Sequence, residues 1–152
     1  MQNASVPGDA DRELTFALSG RGGTDQWVLP GDLRRSLARS PQLDVPLDQL
    51  PVGQFLRAEV RRVGDPLYGM IRRAAALSGS ALALLPVGIA FRPATPPADG
   101  GTVELMVAVV NVTSGVVIWL DRVEGSASSE DDPAGLARVM DALATSLLAG
   151  GD

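Results

Sequence analysis

GTVELMVAVVNVTSGVVIWLDRVEG, residues 101–125, is the stretch on which the fold turns. It reads as two strands joined by a tight turn at Thr113, Ser114 and Gly115. In the first strand Leu105, Val107 and Val109 point one way and Met106, Ala108 and Val110 the other. In the second, Val116, Ile118 and Leu120 oppose Val117, Trp119 and Val123. A strand apolar on both faces has to be covered from both sides, so the hairpin belongs near the centre of a layered sheet. Val107, Val109, Ile118 and Leu120 are therefore expected to be buried in a central antiparallel pair.

The flanks extend this core. Residues 81–92, ALALLPVGIAFR, form a long apolar strand in which Pro86 removes a ladder donor and Gly88 a side chain, which predicts a bulge or a local edge. An exposed proline-rich loop, residues 93–101, links it to the hairpin. Residues 65–79 are the clearest helix. Asp65 is placed to accept from the free amides of the first turn, and Pro66 fits that turn because its missing N–H costs nothing there. Leu67, Met70, Ile71, Ala74, Ala75 and Ser78 share one face, and Gly79 suits a left-handed cap. Asp132 and Pro133 repeat this start after a polar linker at 126–131. The last helix then carries a stripe of Leu136, Val139, Met140, Leu143 and Leu147 and stops at Gly150.

The first third is less regular. Residues 1–11 read as a flexible leader, followed by a single globular domain over 12–150. Leu14, Phe16 and Leu18 alternate and predict a strand over 12–19. Residues 27–30 read as a short strand, and residues 31–40 as a short helix with Leu33 and Leu37 inward. Leu43 and Val45 suggest another strand, and residues 55–63 fit a helix or a strand equally. Three consecutive strands with short links make antiparallel neighbours. The expected architecture is α/β of the α+β type: a mixed sheet with a central antiparallel hairpin and helices covering both faces.

Composition narrows the chemistry. The chain has 152 residues, 45% hydrophobic and 20% charged, with a net charge of −5. Its 13 basic residues are all Arg, which together with abundant Ala, Gly, Pro and Val points to a GC-rich bacterial genome. An acidic domain is a poor partner for nucleic acid or an anionic membrane. The chain has no Cys and no His. That excludes disulfides, thiolate nucleophiles, Cys or His zinc sites and imidazole-based triads. No apolar run is long enough to span a bilayer, and the N-terminus does not read as a signal sequence.

The remaining constellations favour structural roles. Asp121 and Glu124 point to opposite faces of a strand end and make a poor acid–base pair. Glu130, Asp131 and Asp132 lack the spaced oxygens and central Gly of a calcium loop, and complement the positive end of the last helix. Tyr68, Arg72 and Arg73 share a helix whose outer side reads as solvated. Trp119, between Ile118 and Leu120, reads as core rather than as an exposed anchor. The glycine-rich residues 20–24 lack the rest of a phosphate loop, and Ser78, Ser80 and Ser114 have no base to activate them. No catalytic residue, metal or cofactor is expected, and no partner-binding residue is singled out.

Four segments carry a resemblance over residues 26–149: Trp27-Val28-Leu29-Pro30 before a helix, Asp65-Pro66-Leu67 opening the next, Leu84-Leu85-Pro86-Val87 on a strand, and residues 109–119, VVNVTSGVVIW. Together they resemble the periplasmic lipoprotein fold shared by the penicillin-binding-protein activator LpoB, the curli secretion lipoprotein CsgG and the N-terminal domain of TolB. Such families usually have Asp where this chain has Asn111. The resemblance implies a non-enzymatic cell-envelope domain, the soluble part of a lipoprotein, that acts through protein–protein contacts in assembly or regulation. It implies a periplasmic location and outer-membrane anchoring through an N-terminal lipid, whose Cys this sequence does not contain. Two other readings stand beside it. One is a subunit of a homo-oligomeric secretion ring, the other a small-molecule-binding or enzymatic domain using carboxylates.

Overall fold

The computed structural model describes residues 7–19, 28–47, 50–57 and 60–149. Among these residues five helices, α1 (Pro7–Ser19), α2 (Pro30–Ala38), α3 (Gln54–Arg57), α4 (Leu67–Ser78) and α5 (Pro133–Ala149), accompany three strands, β1 (Leu82–Pro93), β2 (Gly101–Asn111) and β3 (Val117–Ala127). The fold is α+β. The strands form one antiparallel sheet in the order β1-β2-β3. The expected mixed sheet is corrected to a purely antiparallel one among the described residues, because the strands follow one another through short links and no parallel crossover intervenes.

Contacts group the chain into two compact units to which all three strands contribute residues. The first holds α1, α5 and residues 89–106 and 122–127. Here α5 buries Val139, Met140, Leu143 and Ala144 along one stripe, and α1 packs on α5 through Leu14, Ala17 and Leu18. The strand expected over 12–19 is a helix, and it begins at Pro7, inside the expected leader. The spacing of Leu14 and Leu18 satisfies both periods. Phe16 decides between them: a strand would bury it with its neighbours, but it is 78% exposed. Residues 1–6 of the leader, the loop 20–24, Trp27 and Gly150 lie outside the described residues.

Glycines set how closely α5 approaches the sheet. A Cβ on Gly125 would stand 2.8 Å from the Val139 backbone nitrogen, and one on Gly135 would stand 2.7 Å from Ala127 Cβ. At the helix start Asp132 Oδ1 accepts from Ala134 N at 3.0 Å, and Oδ2 accepts from Ser128 N at 2.9 Å. Pro133 is the first helical residue, as expected. The bond from Ser128 is the main reason that the Asp132 carboxyl is held below its usual 3.8; the Ala134 bond and Arg138 add to it. A depressed carboxylate stabilises the fold above its unfolded value, and that contribution is lost as pH falls through the folded one. The stability gap between the wild type and Asp132→Asn, measured by urea denaturation, should therefore be constant above about pH 5 and narrow as pH drops below 3.8.

The second unit holds residues 28–88 and 107–121. Val107, Ala108, Val109 and Val110 of β2 are all buried, so this part of the central strand is covered on both faces. Leu67, Ile71, Ala74 and Ala75 form the buried face of α4, each large apolar side chain stabilising the fold by about 1.5–3 kcal/mol. Asp65 Oδ1 accepts from Gly69 N at 3.1 Å, so it does cap the helix, although the cap position itself falls on Pro66. Gly79 closes α4 in the left-handed conformation at φ 66°. The second strand of the hairpin departs from expectation. Ile118 is 53% exposed and Leu120 and Trp119 are half-buried. β3 is the last strand of the sheet, bordered on its outer side only at its start by the extended residues 61–63 among the described residues, whereas β2 has a strand on each side.

Three other segments differ from the sequence reading. Val28 and Leu29 precede α2 without forming a strand. Leu43 closes a short 3-10 turn, Pro41–Leu43, and Asp44 follows in a left-handed conformation, so no strand forms over 43–45. Residues 55–63 begin in α3 and end as an extended piece, Arg62 bridging Val116.

Candidate interaction surface

The tip of the β2–β3 hairpin, in the second unit, is closed by a set of backbone and side-chain hydrogen bonds. Asn111 N donates to Val116 O at 2.9 Å, while Gly115 N donates to Asn111 O at 2.8 Å. Gly115, at φ 74°, supplies the left-handed residue that such a closure needs. Asn111 Oδ1 accepts from Thr113 N at 2.9 Å and Ser114 N at 3.1 Å. Both bonds need only an acceptor oxygen, so Asn here does what an Asp would do.

Helix α4 holds this turn through Tyr68. Its hydroxyl donates to Thr113 O at 2.6 Å, and its ring lies against Gly115, where a Cβ would approach Cδ2 and Cε2 to 3.3 Å. The Arg72 guanidinium lies 5.7 Å from the ring centroid, one turn further along. Tyr68 and Arg72 are thus brought together, and Arg73 is exposed. Their partners within the protein give the cluster a structural task. Tyr68→Phe should lower stability by about 0.5–1.5 kcal/mol in chemical denaturation, the net worth of one hydrogen bond.

The two edges of the sheet differ in this unit. The start of β3 is bordered on its outer side: Val63 N donates to Gly115 O at 2.8 Å and Val117 N to Arg61 O at 2.9 Å. On the opposite edge, β1 over residues 82–88 has no strand or bridge on its outer side among the described residues. This is the local edge that Pro86 predicts, since a proline tolerates an edge strand where a ladder bond is not required. Leu82 is 51% exposed, and the chain carries no charged residue from 74 to 91. Leu77 at the end of α4 is also an exposed apolar side chain, as are Val28 and Ile118 elsewhere in the unit.

The first unit presents charge instead. Arg92 reaches Glu124 at 2.7 Å and Glu104 at 3.6 Å, and Arg122 reaches Glu104 at 3.3 Å. Each such pair contributes little, about 0.2–1 kcal/mol, but the row covers a sheet surface with polar groups. Among the described residues of this unit, α5 packs on the Gly125 face of the sheet and these ion pairs lie on the other. Glu124 is occupied by Arg92, and Asp121 is exposed. Asp132 is committed to the α5 cap, and among the described residues no group of three potential metal-ligating side chains occurs. An open groove of about 460 Å³ lies between α2 and residues 44–47, with Arg34, Leu37, Asp44, Val45 and Leu47 among its lining residues.

Among the described residues no helix is long and apolar enough to cross a membrane. No protein-family profile, curated protein or solved structure matches this chain. Sequence reasoning placed the strand of residues 81–92 and expected a bulge or a local edge at Pro86 and Gly88, without naming it as a binding surface. The signal was Pro86 within a long uncharged run. The groove beside α2 had no comparable signal, because its lining comes from irregular segments.

Proposed function

We propose that this chain is a non-enzymatic protein-binding module of the bacterial cell envelope, the soluble part of a lipoprotein, and that the outer edge of β1 over residues 82–88 is its binding element. One observation carries the reading: among the described residues no strand pairs with the outer side of the long apolar strand β1, and its Leu82 is 51% exposed. Unpaired edge N–H and C=O groups are a template for an incoming strand, and natural proteins usually blunt such edges with charge. Here Pro86 is the only such device in the stretch. Backbone bonds would give affinity and the apolar side chains selectivity. The envelope setting rests on the lipoprotein resemblance. The acidic charge, −5, favours a protein partner over nucleic acid or anionic lipid.

The test is capture from an envelope extract of the native organism on immobilised protein, with partners identified by mass spectrometry. Leu82→Lys should abolish capture of a specific protein while leaving the circular dichroism spectrum intact. Equal capture by the variant, or recovery of nucleic acid or lipid alone at moderate salt, rejects the reading.

A further inference from the structure

We infer that the strand taken up by the β1 edge is the same segment of a second copy, paired antiparallel across a two-fold axis. This rests on the edge-binding reading above and names its occupant. Two observations point to a copy of this chain, and a third is compatible with it. The first is charge. Residues 74–91 contain no charged side chain, so an incoming strand that brought one would have to leave it against apolar neighbours without a counter-ion. The complementary strand is therefore neutral and apolar, and residues 82–88, LALLPVG, are such a strand.

The second is the distribution of exposed apolar groups. Leu77 and Leu82, two of the exposed large apolar side chains, both fall in this uncharged stretch. Pairing two copies through β1 gives Leu82, which lies on the paired strand, an apolar surface to meet, as an isologous interface must. The third is the geometry of Pro86. A proline removes one backbone donor, which limits a long ladder, yet seven residues on each strand leave bonding positions on either side of it.

Pairing by apolar strands between acidic molecules has a distinctive salt response. Each copy carries −5, so the copies repel at long range, and salt screens that repulsion within about 8 Å at physiological strength. Dimer formation should strengthen with added salt, whereas a complex held by opposite charges weakens.

The absence of Cys makes the pairing directly readable. Single variants Leu82→Cys, Leu84→Cys, Pro86→Cys and Gly88→Cys would be oxidised at low concentration. A two-fold axis brings only the one or two of these positions nearest to it against their own copies, so disulfide yield should peak there, at least fivefold above the position furthest from the axis. Analytical ultracentrifugation of the intact chain should show a reversible species of twice the 15.8 kDa monomer mass, tightening from 0.05 M to about 0.5 M salt. Leu82→Lys should raise the dissociation constant by about tenfold or more. A monomer at every concentration up to about 1 mM, or a flat cross-linking profile, overturns the inference. If the chain is monomeric but Leu82→Lys still abolishes capture of a different protein, the edge-binding reading stands and the self-pairing falls.

Discussion

Leu143→Ala should lower the stability of the protein by about 2–5 kcal/mol. Leu143 is fully buried on α5, beside Val139, Met140 and Ala144, which are buried as completely. Removing its branched carbons takes away apolar burial and leaves a space bordered by backbone that is fixed by close contact with β3. The Gly125 and Gly135 approaches prevent the helix from settling inward, so the cavity term stays near its upper range. For a chain of this length the thermal midpoint should fall by about 4–20 °C. Ile118→Ala is the matched contrast. At 53% exposed it loses little burial, and a change within about 1 kcal/mol is expected in the same urea titration. A loss at Ile118 equal to that at Leu143 would mean that β3 is buried as a central strand is.

The difference between those two residues shows what pattern alone decides. Alternation told correctly that β2 is sealed on both faces over residues 107–110, because Val107 to Val110 leave no polar position to face water. The same argument failed for β3. Its first four residues, Val117 to Leu120, are as apolar, but exposure of an edge strand depends on what lies beyond it, and residue period carries no information about strand order. α4 and α5 were legible from caps and stripes that act within four residues of one another. α1 was misread because Leu14 and Leu18 are four apart, a separation common to both periods, and only the tertiary partner α5 selects the helix. The candidate surface was half legible. Pro86 and the uncharged run marked β1 as unusual, but an open edge is a property of the assembled sheet. The groove beside α2 is built by a left-handed Asp44 and irregular neighbours, for which no periodic signal exists.

Gly125→Ala should destabilise by about 1–3 kcal/mol, and Gly125→Val by more. Gly125 lies in β3, where glycine ordinarily weakens a strand. Its value here comes from what it permits. A Cβ at this position would meet Val139 N at 2.8 Å, Arg138 Cβ at 3.0 Å and the Arg138 carbonyl carbon at 3.1 Å. Two of those three atoms are backbone of a helix interior, so the clash is relieved only by moving α5 off the sheet. That movement would also loosen the Gly135 contact with Ala127 and Val103, and with it the burial of Val139 and Leu143. The damage should therefore appear as a raised unfolding rate and as loss of packing, with a smaller change in helix content. Gly64→Ala provides the control. A Cβ there meets nothing within 4 Å, and its backbone lies outside the left-handed region. It should be neutral or stabilise by up to about 1 kcal/mol, since alanine narrows the unfolded ensemble. Equal stabilities for Gly125→Ala and Gly64→Ala would show that α5 does not rest on the strand at this point. A deficit confined to Gly125 would establish that the glycine is there for helix approach.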